Sequence, residues 1–302
     1  MNRFSLMIYI IFFNYIFSNE FDTSFGKCSI IINNKNKSDL ISYQKLIKRE
    51  SLKLINEYGP IEKKPFQIII PKTKKEFYKI AKTAPEWGIA ITKGRENKII
   101  IQAASIANIS KNRFNEIIIH ELNHLYIHRL VVSGLMPSWF IEGIAMKFSN
   151  EFSYSDKIEI SKALWKQQII PLNALTNFYT KNKYIIKLAY AQAASAVYAL
   201  EYYYGEKITH QIINLLKQKY TFEDALLQIT GDDTIDFQEK YEFYISKYFL
   251  WIFLLKTSNM LFIIFPFILI LGYLIKKHHN KQIIQKWENE EKLMDKETNL
   301  LN

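Results

Sequence analysis

Apolar positions recur at two different spacings along this chain, and the change of spacing divides it into two parts. In the first part, short apolar runs bounded by turn residues predict β-strands. Four runs are predicted as strands: residues 28–32, 65–70, 88–92 and 98–102. The last two flank a polar segment at 93–97, which is typical of an antiparallel pair joined by a turn.

Apolar residues at helical spacing dominate the rest of the chain. Asp39 is a suitable cap for a helix that Gly59 ends, and Ser110 for a long helix that stops before Gly134 and Pro137. The other predicted helices begin at Ser138 or cover residues 73–82, 155–166, 186–203, 207–220, 222–229 and 234–246. Strands followed by helices favour an α+β fold.

The first 18 residues have the pattern of a targeting segment. Arg3 supplies a positive start, and a nearly continuous apolar run follows it. Cleavage after Ser18 would make residues 1–18 a signal peptide, and an uncleaved signal anchor is the alternative.

A second apolar segment lies near the C-terminus. Residues 257–275 are 19 positions without charge, about the length of a transmembrane helix, and Lys276 follows directly. A buried core helix is the alternative, although the segment is apolar all round and lies beyond the last amphipathic helix. We expect a single-pass membrane protein with residues 19–256 exoplasmic (periplasmic or extracellular) and a short cytoplasmic tail, 276–302.

The distribution of charge argues against nucleic-acid binding. The net charge is +11, from 40 Lys and Arg against 29 Asp and Glu, but the basic residues are spread out. We therefore expect no nucleic acid partner.

Cys28 is the only cysteine, which rules out an intrachain disulfide, and Lys27 before it argues against lipid attachment. A buried thiol is expected instead.

The long helix carries the first candidate chemistry, an H-E-x-x-H motif. His120 and His124 project from the same face of a helix and can hold one Zn²⁺, with Glu121 close enough to act on a zinc-activated water. A catalytic zinc needs a third protein ligand and one open position. His128 would reach the metal only with distortion, and Leu130 occupies the place where H-E-x-x-H-x-x-G-x-x-H has its third histidine.

Glu142 is the better third ligand. The break at Gly134 and Pro137 lets the chain turn back and place this carboxylate opposite the two histidines. Gly143 beside it would allow the two helices to approach closely. Without Glu142, the histidines would be interpreted as satisfied core residues on an apolar helix face. With Glu121 and Glu142 both present, a site for one zinc ion per chain is favoured.

The motif H-E-x-x-H followed by W-F-x-E-G-x-A at 139–145 resembles the gluzincin zinc metallopeptidases, especially their peptidase MA-like domains. The resemblance covers residues 28–247 and includes L-A-Y-A-Q-A-A-S at 188–195. It implies a thermolysin-like catalytic domain, with a small N-terminal mixed sheet and helices packed against a mainly helical C-terminal half. It also implies that His120, His124 and Glu142 bind zinc and that Glu121 is the catalytic base.

Two further expectations follow from the resemblance. Some gluzincins steady the oxyanion with a Tyr or His from a downstream helix, and Tyr190 is our candidate, with core packing as its alternative role. Strand 88–92 or strand 98–102 would present an edge to an extended peptide. In some gluzincins a carboxylate four residues after the zinc glutamate orients the ligands. Met146 stands there in this chain, so another group must do so.

The sequence thus predicts a membrane-anchored zinc metallopeptidase, a hydrolase of peptide or protein substrates. The first alternative is a catalytically inactive, zinc-stabilised ectodomain that acts as a binding or scaffold module. The second is an anchored domain that holds no metal.

Overall fold

The structure is a computed structural model that describes residues 17–32, 37–82, 84–85, 88–132, 134–176, 178, 182–254 and 257–300. The predicted signal segment therefore lies outside the described residues, apart from Phe17 and Ser18. These two residues begin the first strand.

A five-stranded mixed sheet forms the N-terminal part. Its strands are β1 (Phe17–Thr23), β2 (Gly26–Ile32), β3 (Phe66–Ile70), β4 (Ala90–Lys93) and β5 (Lys98–Ile101). They lie in the order β1-β2-β3-β5-β4, with β2, β3 and β5 parallel and both edge strands antiparallel to their neighbours. All four predicted strands are confirmed. The apolar pattern does not predict β1, because its sequence FSNEFDT is mostly polar.

Helices make up most of the remaining described residues. They are α1 (Lys37–Tyr58), α2 (Lys74–Ala81), α3 (Ala104–Ala107), α4 (Lys111–Leu130), α5 (Ser138–Phe148), α6 (Tyr154–Trp165), α7 (Lys183–Tyr204), α8 (Ile208–Lys217), α9 (Phe222–Thr230), α10 (Thr234–Phe249) and α11 (Thr257–Leu300). The predicted helices are confirmed to within a few residues at their ends. One correction concerns Asp39, which lies in the first turn of α1 rather than at its cap.

Alternation along the strands gives the sheet two buried faces. Ile68, Ile99 and Ile101 face the main core, which α1 and helices α4 to α10 share. Ile91 and Ile100 face the opposite side, where they pack with α2. The fold is therefore α+β, with a small mixed sheet and a mainly helical remainder.

Both ends of α4 are fixed to their surroundings. Ser110 caps the first turn with its side chain. Near the other end, the guanidinium of Arg129 donates to the side-chain oxygen of Asn97 at 2.8 Å. It also donates to the backbone oxygens of Phe25 (3.1 Å) and Pro65 (3.3 Å). These bonds hold the helix that carries the H-E-x-x-H motif in a fixed position against the sheet.

Gly143 allows a close approach, but its partner helix differs from the prediction. A Cβ atom at this position would overlap the backbone oxygen of Ala193 and lie 2.6 Å from Cγ2 of Val197. Both residues belong to α7. The correction is therefore that Gly143 packs α5 against α7, not against the helix of the two histidines.

Two other sequence predictions concern Cys28 and the C-terminal segment. Cys28 is buried, as predicted, and burial raises the pKa of its thiol. Helix α11 runs through the predicted span at 257–275 and most of the predicted tail. Across the described parts of the chain, no helix combines the length with the apolar character that crossing a bilayer requires.

Candidate metal centre

Three side chains from two helices meet at one point. His120 and His124 lie one turn apart on α4, and Glu142 comes from α5. Each residue offers one ligand atom, and these atoms all lie within 4.8 Å of one another. The Oε2 atom of Glu142 is 3.4 Å from Nε2 of His120 and 3.4 Å from Nε2 of His124. The structure therefore brings together the three side chains that the sequence predicts as ligands.

The geometry of this cluster fits a zinc ion. Tetrahedral zinc binds nitrogen and oxygen at about 2.0–2.2 Å, which places neighbouring ligand atoms roughly 3.4 Å apart. In addition, Oε2 of Glu142 is buried and accepts no hydrogen bond from the residues that the structure describes. A buried carboxylate oxygen without a donor is costly. A cation between the three ligand atoms would compensate it.

Opposite charges stabilise the cluster when no metal is bound. Burial alone would raise the pKa of Glu142, but the two histidines outweigh that effect and hold the pKa below its usual range. Burial would also lower the pKa of His120, but the negative charges of Glu151 and Glu142 outweigh it and raise the pKa well above its usual value. Without metal, the two histidines therefore favour the ionised form of Glu142, and the two carboxylates favour the protonated form of His120.

Some gluzincins have a ligand-orienting carboxylate where this chain has Met146. In this structure, Glu151 is the carboxylate beside the ligands, and the sequence alone does not identify it. Its Oε1 lies 2.8 Å from Nδ1 of His120 and accepts a 2.6 Å hydrogen bond from Ser149. Its Oε2 lies 2.7 Å from the guanidinium of Arg113. Burial acts to raise the pKa of Glu151, but the neighbouring His120 and Arg113 have a larger effect in the opposite direction and lower the pKa to about 2. Glu151 is thus an ionised group that faces the outer nitrogen of a candidate ligand.

Thr92 is a second contact that the sequence does not reveal. Its Oγ1 lies 2.6 Å from Oε2 of Glu121 and 3.0 Å from the backbone oxygen of the same residue. Glu121 is buried, and burial raises the pKa of its carboxyl although His124, His120 and Thr92 counteract the increase. The candidate base is therefore a carboxylate with a higher affinity for protons than an exposed glutamate.

A family model for the Peptidase MA superfamily matches residues 47–247, which include both helices of the centre. The chain belongs to the Peptidase MA superfamily. In this peptidase MA domain, the H-E-x-x-H motif lies on α4 and the E-G-x-A motif on α5.

Several solved structures resemble the peptidase MA domain at low identity. An M1 zinc metallopeptidase from Deinococcus radiodurans has 12% identity and a TM-score of 0.44, covering 76% of this chain and 50% of that one. A mutant from the same organism, bound to a Tyr-Ser-Ala substrate, has 11% identity and a TM-score of 0.44 over the same shares. A two-domain M1 mutant bound to L-tryptophan has 11% identity and a TM-score of 0.43, again over the same shares. The chain spans about half the length of these structures. No curated protein matches it.

The centre of the peptidase MA domain opens into a cavity of about 840 Å³. Strand β4 lines it and is an edge strand of the sheet, whereas β5 lies between β3 and β4. Of the two strands proposed to receive a peptide, β4 is therefore the one that has no described strand on its outer side. Tyr190 also lines the cavity, and its ring packs on Phe178 with 5.0 Å between centroids. Tyr190 thus lines the cavity and also packs against a neighbouring ring, and its role as oxyanion donor stays a prediction.

His128 lines the outer part of the same cavity and is exposed. It does not belong to the group of three ligands. Its ring lies against Gly94, at the turn between β4 and β5, where an added Cβ atom would come within 2.5 Å of Cδ2. His128 therefore packs the hairpin against α4, which agrees with the prediction that it is not a metal ligand.

Proposed function

We propose that this peptidase MA domain is a zinc-dependent peptidase. One observation carries the proposal: Oε2 of Glu142 is buried, accepts no hydrogen bond from the described residues, and lies 3.4 Å from Nε2 of both His120 and His124. A carboxylate and two imidazoles in this arrangement are a ligand set typical of catalytic zinc. The neighbouring Glu121 and the open cavity provide a base and room for a substrate.

Zinc held by His120, His124 and Glu142 would supply an activated water and polarise a peptide carbonyl. Glu121 would accept a proton from the attacking water and pass it to the leaving amine. Because burial raises its pKa, the carboxyl is better matched to proton transfer near neutral pH. Glu151 would keep the ring of His120 oriented, with Nδ1 toward the carboxylate and Nε2 toward the centre.

The substrate class that we propose is a peptide or protein in extended conformation. Its support is strand β4, which borders the cavity and has a neighbouring strand on one side only among the described residues. Tyr190 is the proposed oxyanion donor because it lines the same cavity. The proposed location, a membrane-anchored domain on the exoplasmic side, is supported by the sequence patterns at 1–18 and 257–275.

A zinc-stabilised, catalytically inactive ectodomain explains fewer of these features. Structural zinc sites are closed by four protein ligands. Among the described residues the cluster has three, and a buried carboxylate lies beside it. We therefore favour the enzyme.

The variant Glu121→Gln tests the proposal. It removes the proton acceptor and leaves the three ligands, so zinc content should persist while hydrolysis of an unfolded protein falls by about 10²–10⁴-fold. Glu116→Gln is the control, because Glu116 lines the same cavity but pairs with Arg113. It should keep most of the activity. Cleavage that persists in Glu121→Gln and resists chelators would refute the mechanism.

A further inference from the structure

We propose that Thr92 is a positioning residue for Glu121. Its hydroxyl holds Oε2 of the carboxylate and so leaves Oε1 as the oxygen that accepts and releases the proton. This inference rests on the proposed function and adds to it the identity of the reacting oxygen.

The hydrogen bond itself has the geometry of a strong one. The distance from Oγ1 of Thr92 to Oε2 of Glu121 is 2.6 Å, within the range of hydroxyl-to-carboxylate bonds. The backbone oxygen of Glu121 is also near, at 3.0 Å. A hydroxyl has one hydrogen and donates to one acceptor at a time. The shorter distance and the negative charge favour the carboxylate.

The other carboxylate oxygen is available for chemistry. Within the described part of the chain, no residue donates a hydrogen bond to Oε1 of Glu121. Nor is Oε1 one of the buried atoms without a partner. Both Glu121 and Thr92 line the cavity. Oε1 is therefore the carboxylate oxygen that a reactant in the cavity can approach.

Strand register explains why a threonine on β4 reaches this base. Thr92 pairs with Ile99, whose side chain faces the main core, so Thr92 lies on the side of α4. Ile91, its neighbour, faces α2 instead. A shift of one residue in the register of β4 would exchange the faces on which Ile91 and Thr92 lie and would move the hydroxyl away from Glu121. The Nζ of Lys93 fixes the strand by donating to the backbone oxygen of Ile80 at 3.1 Å.

The role follows from the two protonation states of the base. When an O–H bond of the attacking water breaks, a new O–H bond forms on Oε1 of Glu121. Oε2 accepts the hydrogen bond from Thr92 both as a carboxylate oxygen and as the carbonyl oxygen of the acid. The proton therefore stays on Oε1 until it moves to the leaving nitrogen as the C–N bond breaks. Without the hydroxyl, the carboxyl group turns more freely and is less often aligned.

The first test compares Thr92→Val with Thr92→Ser in the zinc-loaded full chain, with an unfolded protein as substrate. Valine keeps the β-branched shape and removes the hydroxyl. We expect kcat to fall about tenfold or more, since the lost bond is to a charged group. KM and zinc content should stay within about twofold, because the ligands are untouched. Serine should restore most of kcat. An unchanged kcat in Thr92→Val, or equal losses in both variants, would overturn the proposal.

A second test needs no activity. Thr92→Val is introduced into the metal-free chain with Glu121 and into the same chain carrying Glu121→Ala, and denaturant unfolding is followed. The backbone oxygen of Glu121 remains in both backgrounds, so only the side-chain bond differs. We expect Thr92→Val to lower the unfolding midpoint clearly with Glu121 and much less with alanine. Equal shifts would overturn the proposal.

The two tests separate this inference from the proposed function. A wild-type chain that binds zinc but hydrolyses no protein, while the unfolding shifts still differ, would refute the peptidase. It would also reduce Thr92 to a structural contact. An active wild type with equal unfolding shifts would refute only the role of Thr92.

Discussion

Replacing Glu151 with glutamine tests how the His120 ligand is held. Glutamine keeps the size and an oxygen for Ser149, but it removes the charge 2.8 Å from Nδ1 of His120. Arg113 is 43% exposed, so its pair with Glu151 is worth about 1 kcal/mol or less. Most of the effect should therefore act through His120, whose side chain is 11% exposed. Losing the carboxylate partner of a ligating histidine weakens metal binding about 10–100-fold, or about 1.4–2.7 kcal/mol.

A zinc competition with a chromophoric chelator near neutral pH measures this loss. The matched control is Glu116→Gln, which removes the other carboxylate partner of Arg113, at 3.0 Å, without touching His120. Its Kd for zinc should stay within about twofold of the wild type. Wild-type zinc affinity in Glu151→Gln would show that this carboxylate does not hold the ligand. Equal losses in both variants would assign the effect to Arg113.

Three further predictions concern packing and protons. Gly143→Ala should lower the free energy of unfolding by about 1–3 kcal/mol, because its Cβ would overlap Ala193 of α7. Gly272→Ala should not, because nothing beyond its own helix backbone and chain neighbours lies within 4 Å of the added Cβ, and equal effects in thermal unfolding would contradict this. Zinc binding near neutral pH should release about one proton per ion, because the raised pKa of His120 favours its protonated form without metal. Calorimetry in buffers of different ionisation enthalpy counts the protons, and no release would refute the prediction. The folded-state pKa of Glu151 is lowered from 4.5 to about 2, so its contribution to the stability of the metal-free chain is present above pH 4.5 and is lost as the pH falls toward 2. The unfolding of Glu151→Gln should therefore lack this part of the acid dependence, and identical pH profiles for the variant and the wild type would disprove the prediction.

Interactions within a few residues explain what the sequence predicts well. His120 and His124 share a helix face because of their spacing alone. Thr73 caps α2 and Ser110 caps α4 through side-chain bonds to the following turn. Gly59 ends α1 at a backbone φ of +86°, which favours glycine. Each of these features depends on local geometry, so a local pattern indicates it.

Contacts between distant residues account for what the sequence does not predict. Thr92 and Glu121 are 29 residues apart and meet only because β4 has one particular register. Glu151 follows the end of α5 and reaches His120 after a turn in which Asn150 has a φ of +60°. No spacing rule connects such pairs. A buried Glu beside an Arg is a signal only once the fold is known.

The glycine in the β4–β5 turn has a consequence for how this protein can vary. An added Cβ atom at Gly94 would come within 2.5 Å of the ring of His128, so a larger residue there would require the ring or the hairpin to move. Two positions earlier, on β4, is the threonine that touches Glu121. A shift of the hairpin would move one wall of the cleft together with the threonine that touches the base. Evolutionary freedom in this surface turn is limited by a residue that contacts neither metal nor peptide.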